Sequence, residues 1–187
     1  MGTAKDPAAA RDQGFRDFYL ARGTRLRGTA YLLCGDWHLA EDLVQAAFTK
    51  LYLAWPRIYR YEHLDQYAHR TLMHTFFSER RRGWRREDPV RELPREPADD
   101  NGAATRTEDR LVLLDALAGL PDRQRATLVL RFFEDMSVEQ TADLLGITRG
   151  AVKTHTHRAL ATLRSRLGSL ALGPTDALAL VPKEEIR

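Results

Sequence analysis

Between Leu145 and Leu167 the chain reads "LGITRGAVKTHTHRALATLRSRL", and every charged residue in it is basic. Arg149, Lys153, Arg158, Arg164 and Arg166 are the side chains that neutralise phosphate or donate to base edges, and no acid interrupts them. The spacing sharpens the chemistry. A helix of about seven residues, a turn of about four centred on Gly146 and a second helix make a helix-turn-helix. With Val152 facing inward, Arg149, Gly150, Lys153, Thr154 and His157 face outward on the first two turns of the second helix, the part that such motifs place in the major groove. Arg149 and Lys153 can donate to guanine, and Thr154 can donate, accept or touch a thymine methyl. Arg158, Arg164 and Arg166 lie further along, where they meet phosphate or simply complement the helix dipole.

The elements that position this helix are legible in the flanking residues. "SVEQTADLLG" starts with Ser137 three residues before Gln140, a capping-box spacing, and Thr148 caps the next helix. Val138, Ala142, Leu145, Ile147, Val152, Ala159, Leu160 and Leu163 can close a small shared core. Upstream, "EDRLVLLDALAGL" is a short helix ended by Gly119, and "PDRQRATLVLRFFEDM" is another that starts at Pro121. Four helices therefore fall within residues 107–167.

A second helical block spans residues 15–86. Phe15, Phe18, Tyr19, Leu26, Ala30 and Leu33 recur at helical spacing. Leu39, Leu43, Ala46, Ala47, Leu51 and Ala54 mark the next stripe, with Asp36 as its cap and Pro56 as its stop. In "QYAHRTLMHTFFSERRRGW", Tyr67, Thr71, Leu72 and Phe76 leave an opposite face rich in His and Arg. Between the blocks, residues 87–106 hold three prolines and an Asn-Gly pair, and Glu87 to Asp100 carries six acids against two arginines. That composition predicts an acidic flexible linker. Residues 1–14 read as a disordered N-terminus and 168–187 as a tail that either docks or trails.

Composition fits this picture. With 43% hydrophobic and 29% charged residues in 187, the chain suits a soluble globular protein with modest cores, and the helical patterning makes it an all-α protein of two small helical domains. The net charge is only +3, so the placement of charge matters more than its sum. The single Cys34 excludes an internal disulfide and fits a cytoplasmic protein. The six histidines show no metal-binding spacing: His63, His69 and His74 do not share a helical face. No cofactor and no catalytic constellation is expected.

The two blocks together resemble extracytoplasmic-function sigma factors of the sigma-70 family, of the actinobacterial sigma-E-like type. "DWHLAEDLVQAAFTKLYLAW" and "LDQYAHRTLMHTFFSERRR" are similar to their region two. "LAGLPDRQRATLVLRFFEDMSVEQTADLLGITRGAVKTHTHRALATLR" is similar to region four. The resemblance implies a partner, core RNA polymerase, whose largest-subunit clamp coiled coil meets Glu41, Asp42, Gln45 and Phe48. The flap of the second-largest subunit would seat the second domain. It implies minus-ten recognition by the loop holding Tyr59, Arg60, Tyr61 and His63, followed by Arg70, His74, Arg80, Arg81 and Arg82 on the next helix. The two tyrosines either stack on an unpaired base or pack beneath the loop. The minus-thirty-five element falls to Arg149, Gly150, Lys153, Thr154, His157 and Arg158. A dedicated anti-sigma factor is the further partner that the resemblance implies. Many relatives carry Arg and Leu where this chain has His155 and Thr156, so no promoter sequence transfers with it. The rival reading is a LuxR-type DNA-binding activator, which shares the "GAVKTHTHRAL" pattern but needs a βα receiver or ligand domain.

Overall fold

The computed structural model describes residues 7–59, 62–83 and 104–167, and every regular element among them is helical. Most of the expected linker, the tail, and loop residues Arg60 and Tyr61 lie outside that set.

The first block is built from α1 (Pro7–Cys34), α2 (Trp37–Ile58) and α3 (Leu64–Gly83). α1 doubles back into α2 through Gly35, whose φ of 75° only glycine adopts without strain. Asp36 then caps α2, accepting from the Leu39 amide at 2.9 Å. Two expectations give way here. Helix α1 begins at Pro7 rather than after residue 14. Its first turns are tied down by the Trp55 indole, which donates to the Arg11 carbonyl at 2.9 Å, and by Phe15 edge-on to Trp55 at 5.2 Å. Pro56 does not stop α2; it sits inside the last turn, and the helix runs to Ile58.

The buried stripe of α2 is also rotated from its expected position. Ala40, Leu43, Val44, Ala47, Phe48, Leu51 and Trp55 are buried, whereas Leu39 is 54% exposed. Cross-links fasten α3 to its neighbours. Arg22 grips Asp65 with two bonds of 2.7 and 2.9 Å, and Lys50 donates to the Thr75 hydroxyl.

The second block contains α4 (Ala104–Ala118), α5 (Asp122–Leu128), α6 (Val138–Leu145) and α7 (Arg149–Arg166). α4 starts three residues before the expected edge of the linker. α5 does not run on as an α-helix: it widens into a π turn over Val129–Phe133, closed by bonds from Glu134 N to Val129 O and Met136 N to Leu130 O. Asp135, at φ 55°, ends the element.

The blocks meet through polar groups that are hardly exposed. Arg125 on α5 donates to the carbonyls of Leu33 at the end of α1 and of Ala118 and Leu120 after α4, at 2.5, 2.8 and 3.1 Å. A guanidinium placed on carbonyls at helix ends suits the negative pole there. Glu134, 8% exposed, accepts from Arg25 Nε at 2.7 Å and from the Thr29 hydroxyl, and lies 3.1 Å from His69 Nε2. Burial pushes the Glu134 carboxyl up, but His69, Thr29 and Arg25 outweigh it and hold the group at about 2. Arg110 lies over the stacked Tyr31 and Trp37 rings at 5.1 and 5.5 Å. Burial raises the Cys34 thiol to about 11, so it stays protonated and unreactive near neutrality.

Candidate nucleic-acid interface

The helix-turn-helix forms from local signals. Ser137 accepts from the Gln140 amide at 3.1 Å while the Gln140 side chain takes the Ser137 amide at 2.8 Å, a complete capping box. Gly146 ends α6 in the left-handed conformation, at φ 64°, and Thr148 caps α7 by accepting from Ala151 N at 3.1 Å. Ala142, Leu144, Val152, Ala159 and Leu163 are buried, while Val138, Leu145, Ile147 and Leu160 are half-buried. Thr156 satisfies its hydroxyl on the Val152 carbonyl, so its half-buried position leaves no polar debt.

This core turns one face of α7 outward. Arg149, Gly150, Lys153, Thr154, His157 and Arg158 are all exposed. Gly150 keeps the surface low between the two cations, where a duplex can approach closely. Arg149 is 3.6 Å from Glu139 at the start of α6. The Glu139 backbone amide, with help from Arg149 and Lys153, holds that carboxyl below its ordinary value. An exposed pair of this kind is weak and gives way readily to phosphate. His155 is instead half-buried, and Arg166 covers Gly119, where a Cβ would collide with the guanidinium.

On the first block, Tyr59 caps the end of α2 and is exposed, as is His63 just before α3. Arg70, His74 and Arg81 project from one face of α3, since offsets of four and eleven residues bring side chains back into line. Arg80 and Arg82 flank them, and all five are exposed. Arg82 pairs with Glu79 at 2.8 Å within the helix. His69, next to Arg70 in sequence, points the other way into the seam with Glu134.

Of the four residues expected to meet polymerase, Glu41, Asp42 and Gln45 are exposed on α2. Phe48 is not: it is 5% exposed, with its ring 4.7 Å from Tyr19 and 6.2 Å from Phe15. The expectation of an exposed contact is corrected for this residue: three α1 aromatics, Phe15, Phe18 and Tyr19, pack around its ring. The apolar part of this face comes from Leu39 and Leu53, which is 72% exposed. Periodicity alone assigns Leu39 to the core; the heavier pull of Val44 and Trp55, which fixes the helix rotation, is the signal that points the other way.

Among the described residues no cluster of His, Cys, Asp or Glu could hold a metal ion, and no helix is long and apolar enough to cross a membrane.

Comparison with known proteins matches this arrangement twice along the chain. Residues 18–86 fit the Sigma-70 region 2 family, and residues 110–163 fit Sigma-70, region 4. The RNA polymerase sigma-E factor of Streptomyces coelicolor is 37% identical over 177 residues, covering 92% of this chain and 95% of that one. The chain belongs to the sigma-70 family of RNA polymerase sigma factors.

Similar figures hold for the sigma-E factor of Streptomyces avermitilis, 37% identical over 92% of this chain and 94% of that one. Sigma factor RpoE of Bartonella quintana, solved in complex with the anti-sigma factor NepR, shares the fold with a TM-score of 0.71, covering 84% of this chain and 98% of that one at 23% identity. A sigma factor of this extracytoplasmic-function type directs promoter-specific transcription initiation. The LuxR-type reading is not favoured, because region 2 occupies the place where such an activator carries its βα module.

Proposed function

We propose that the two blocks divide promoter recognition between them. The second reads the minus-thirty-five element with Arg149, Gly150, Lys153, Thr154, His157 and Arg158. The first recognises and opens the minus-ten element with Tyr59, Arg60, Tyr61 and His63 and the α3 face of Arg70, His74 and Arg80 to Arg82. Glu41, Asp42 and Gln45, beside Leu39 and Leu53, form the surface for the polymerase clamp. The flap of the second-largest subunit seats the second block. The single observation that carries this reading is the exposed basic face on the first turns of α7, held by a capped, Gly146-turned motif.

The protein works by binding and has no catalytic centre or cofactor of its own. It acts in the cytoplasm, where polymerase and promoters are. The Bartonella quintana relative was solved with an anti-sigma factor, and a dedicated anti-sigma factor restrains this chain in the same manner. Run-off transcription with purified core polymerase over a genomic promoter library tests the reading. Transcripts from a defined promoter subset support it, and transcripts no different from core enzyme alone refute it.

A further inference from the structure

One acid stands inside the basic face of the second block. Arg149 Nη1, on the first turn of α7, lies 3.6 Å from Glu139 Oε1, and both side chains are exposed, at 71% and 53%. Glu139 belongs to the first turn of α6, one residue before Gln140 of the capping box. α7 carries no acid of its own, so this charge reaches the face from the other helix of the motif. Lys153, one turn beyond Arg149, adds its charge to the same carboxylate.

If the face met phosphate alone, a carboxylate there would only weaken it, since like charges repel. An ionised carboxylate accepts hydrogen bonds and donates none. In the major groove its match is an exocyclic amine, and the pairing that geometry favours for an acid is with cytosine N4. Arg149 beside it donates to guanine O6 and N7. The two side chains therefore present an acceptor next to a donor, the complement of a cytosine edge and a guanine edge. A thymine O4 or guanine O6 facing Glu139 would oppose two acceptors, which rejects that base. The rigid frame matters too: the capping box fixes the start of α6 and Thr148 fixes the start of α7, so both side chains spring from held backbone.

We propose that Glu139 is a specificity-determining residue of the minus-thirty-five reader, accepting from a cytosine amine in the major groove beside the contact that Arg149 makes. The inference rests on the proposed role of α7 at that element. Off DNA the Arg149–Glu139 pair keeps both groups at the edge of the face, and the weakness of an exposed pair lets each exchange its partner for a base. An acid in a first helical turn also complements the helix dipole, a role that acts on stability and not on base preference.

Binding of holoenzyme to a promoter duplex with a randomised minus-thirty-five element, read by sequencing the bound fraction, tests this. The unaltered chain should prefer cytosine at one position by about tenfold. Glu139→Ala should abolish that preference, keep the preferences elsewhere in the element and bind unrelated duplex several-fold more tightly. Glu139→Gln should move the preference towards adenine, whose N6 and N7 a carboxamide matches. Profiles identical to the unaltered one, or a uniform gain on every sequence, overturn the proposal. A shifted thermal midpoint with an unchanged profile would leave Glu139 as a helix-end charge and overturns it equally. No base preference from the unaltered chain would sink the reading of α7 itself, and the proposal with it.

Discussion

Glu134 Oε2 lies 3.1 Å from His69 Nε2, and the other ring nitrogen of His69 faces the Asp65 carbonyl at 2.7 Å. A carboxylate on one side of the imidazole and a carbonyl on the other favour the ring that carries a proton on both nitrogens. Burial pulls the His69 pKa down, but the Glu134 hydrogen bond and charge and the Asp65 carbonyl prevail and raise it above 6.5.

The seam between the blocks should therefore respond to pH. A raised histidine pKa contributes fully below 6.5 and loses its contribution as pH climbs through the raised value. Glu134, held at about 2, contributes above 4.5 and fails only as pH falls through about 2. The seam should be tightest between those two ordinary values and loosen on the alkaline side. Arg25 and Thr29 on α1, Asp65 on α3 and Asp135 beside Glu134 complete the surroundings. Solution scattering across this range checks it; His69→Gln should flatten the alkaline response, and a profile unaffected by that change would assign the dependence elsewhere.

Lys153→Ala and Arg149→Ala should each weaken minus-thirty-five binding by ~1–3 kcal/mol if they read bases. Gel-shift titration of holoenzyme on matched and altered promoters distinguishes base reading from phosphate contact. A uniform loss on every sequence would make either residue a phosphate ligand.

Asp42 and Phe48, six residues apart on α2, should fail in different ways. Asp42→Arg reverses an exposed charge and should reduce core-polymerase binding while thermal unfolding stays unchanged. Phe48→Ala empties the pocket beneath Phe15, Phe18 and Tyr19 and should cost ~3–5 kcal/mol of stability. Pull-down and calorimetry together check the pair; normal pull-down by Asp42→Arg would remove the acid from the interface.

Gly146→Ala should destabilise the second block by ~1 kcal/mol, through backbone strain alone. The turn needs φ 64°, and an added Cβ meets nothing within 4 Å. Thermal denaturation followed by circular dichroism measures it, and an unchanged midpoint would mean that the turn relaxes without loss.

What the sequence makes legible is local. Ser137 with Gln140, Thr148 and Gly146 each act within four residues of themselves, so their types and spacing suffice to place α6, the turn and α7. Leu39 and Phe48 are harder because a helix can rotate by a fraction of a turn without changing its periodicity, and the α1 aromatics decide the rotation. The start of α1 depends on Trp55 reaching back to the Arg11 carbonyl, and no spacing near residue 7 announces it. Glu134 is further from reach: its partner Arg25 lies 109 positions earlier, and nothing around either residue marks the pairing. The π turn before it interrupts an apolar pattern that reads as plain helix.

The most direct test of the two-block account is a hydroxyl-radical footprint of reconstituted holoenzyme on its strongest promoter. Protection should appear at both elements, about 25 base pairs apart or roughly 85 Å along the duplex, and Lys153→Ala should thin the upstream protection while sparing the downstream one. Protection at a single element, or an upstream footprint indifferent to Lys153, would contradict it.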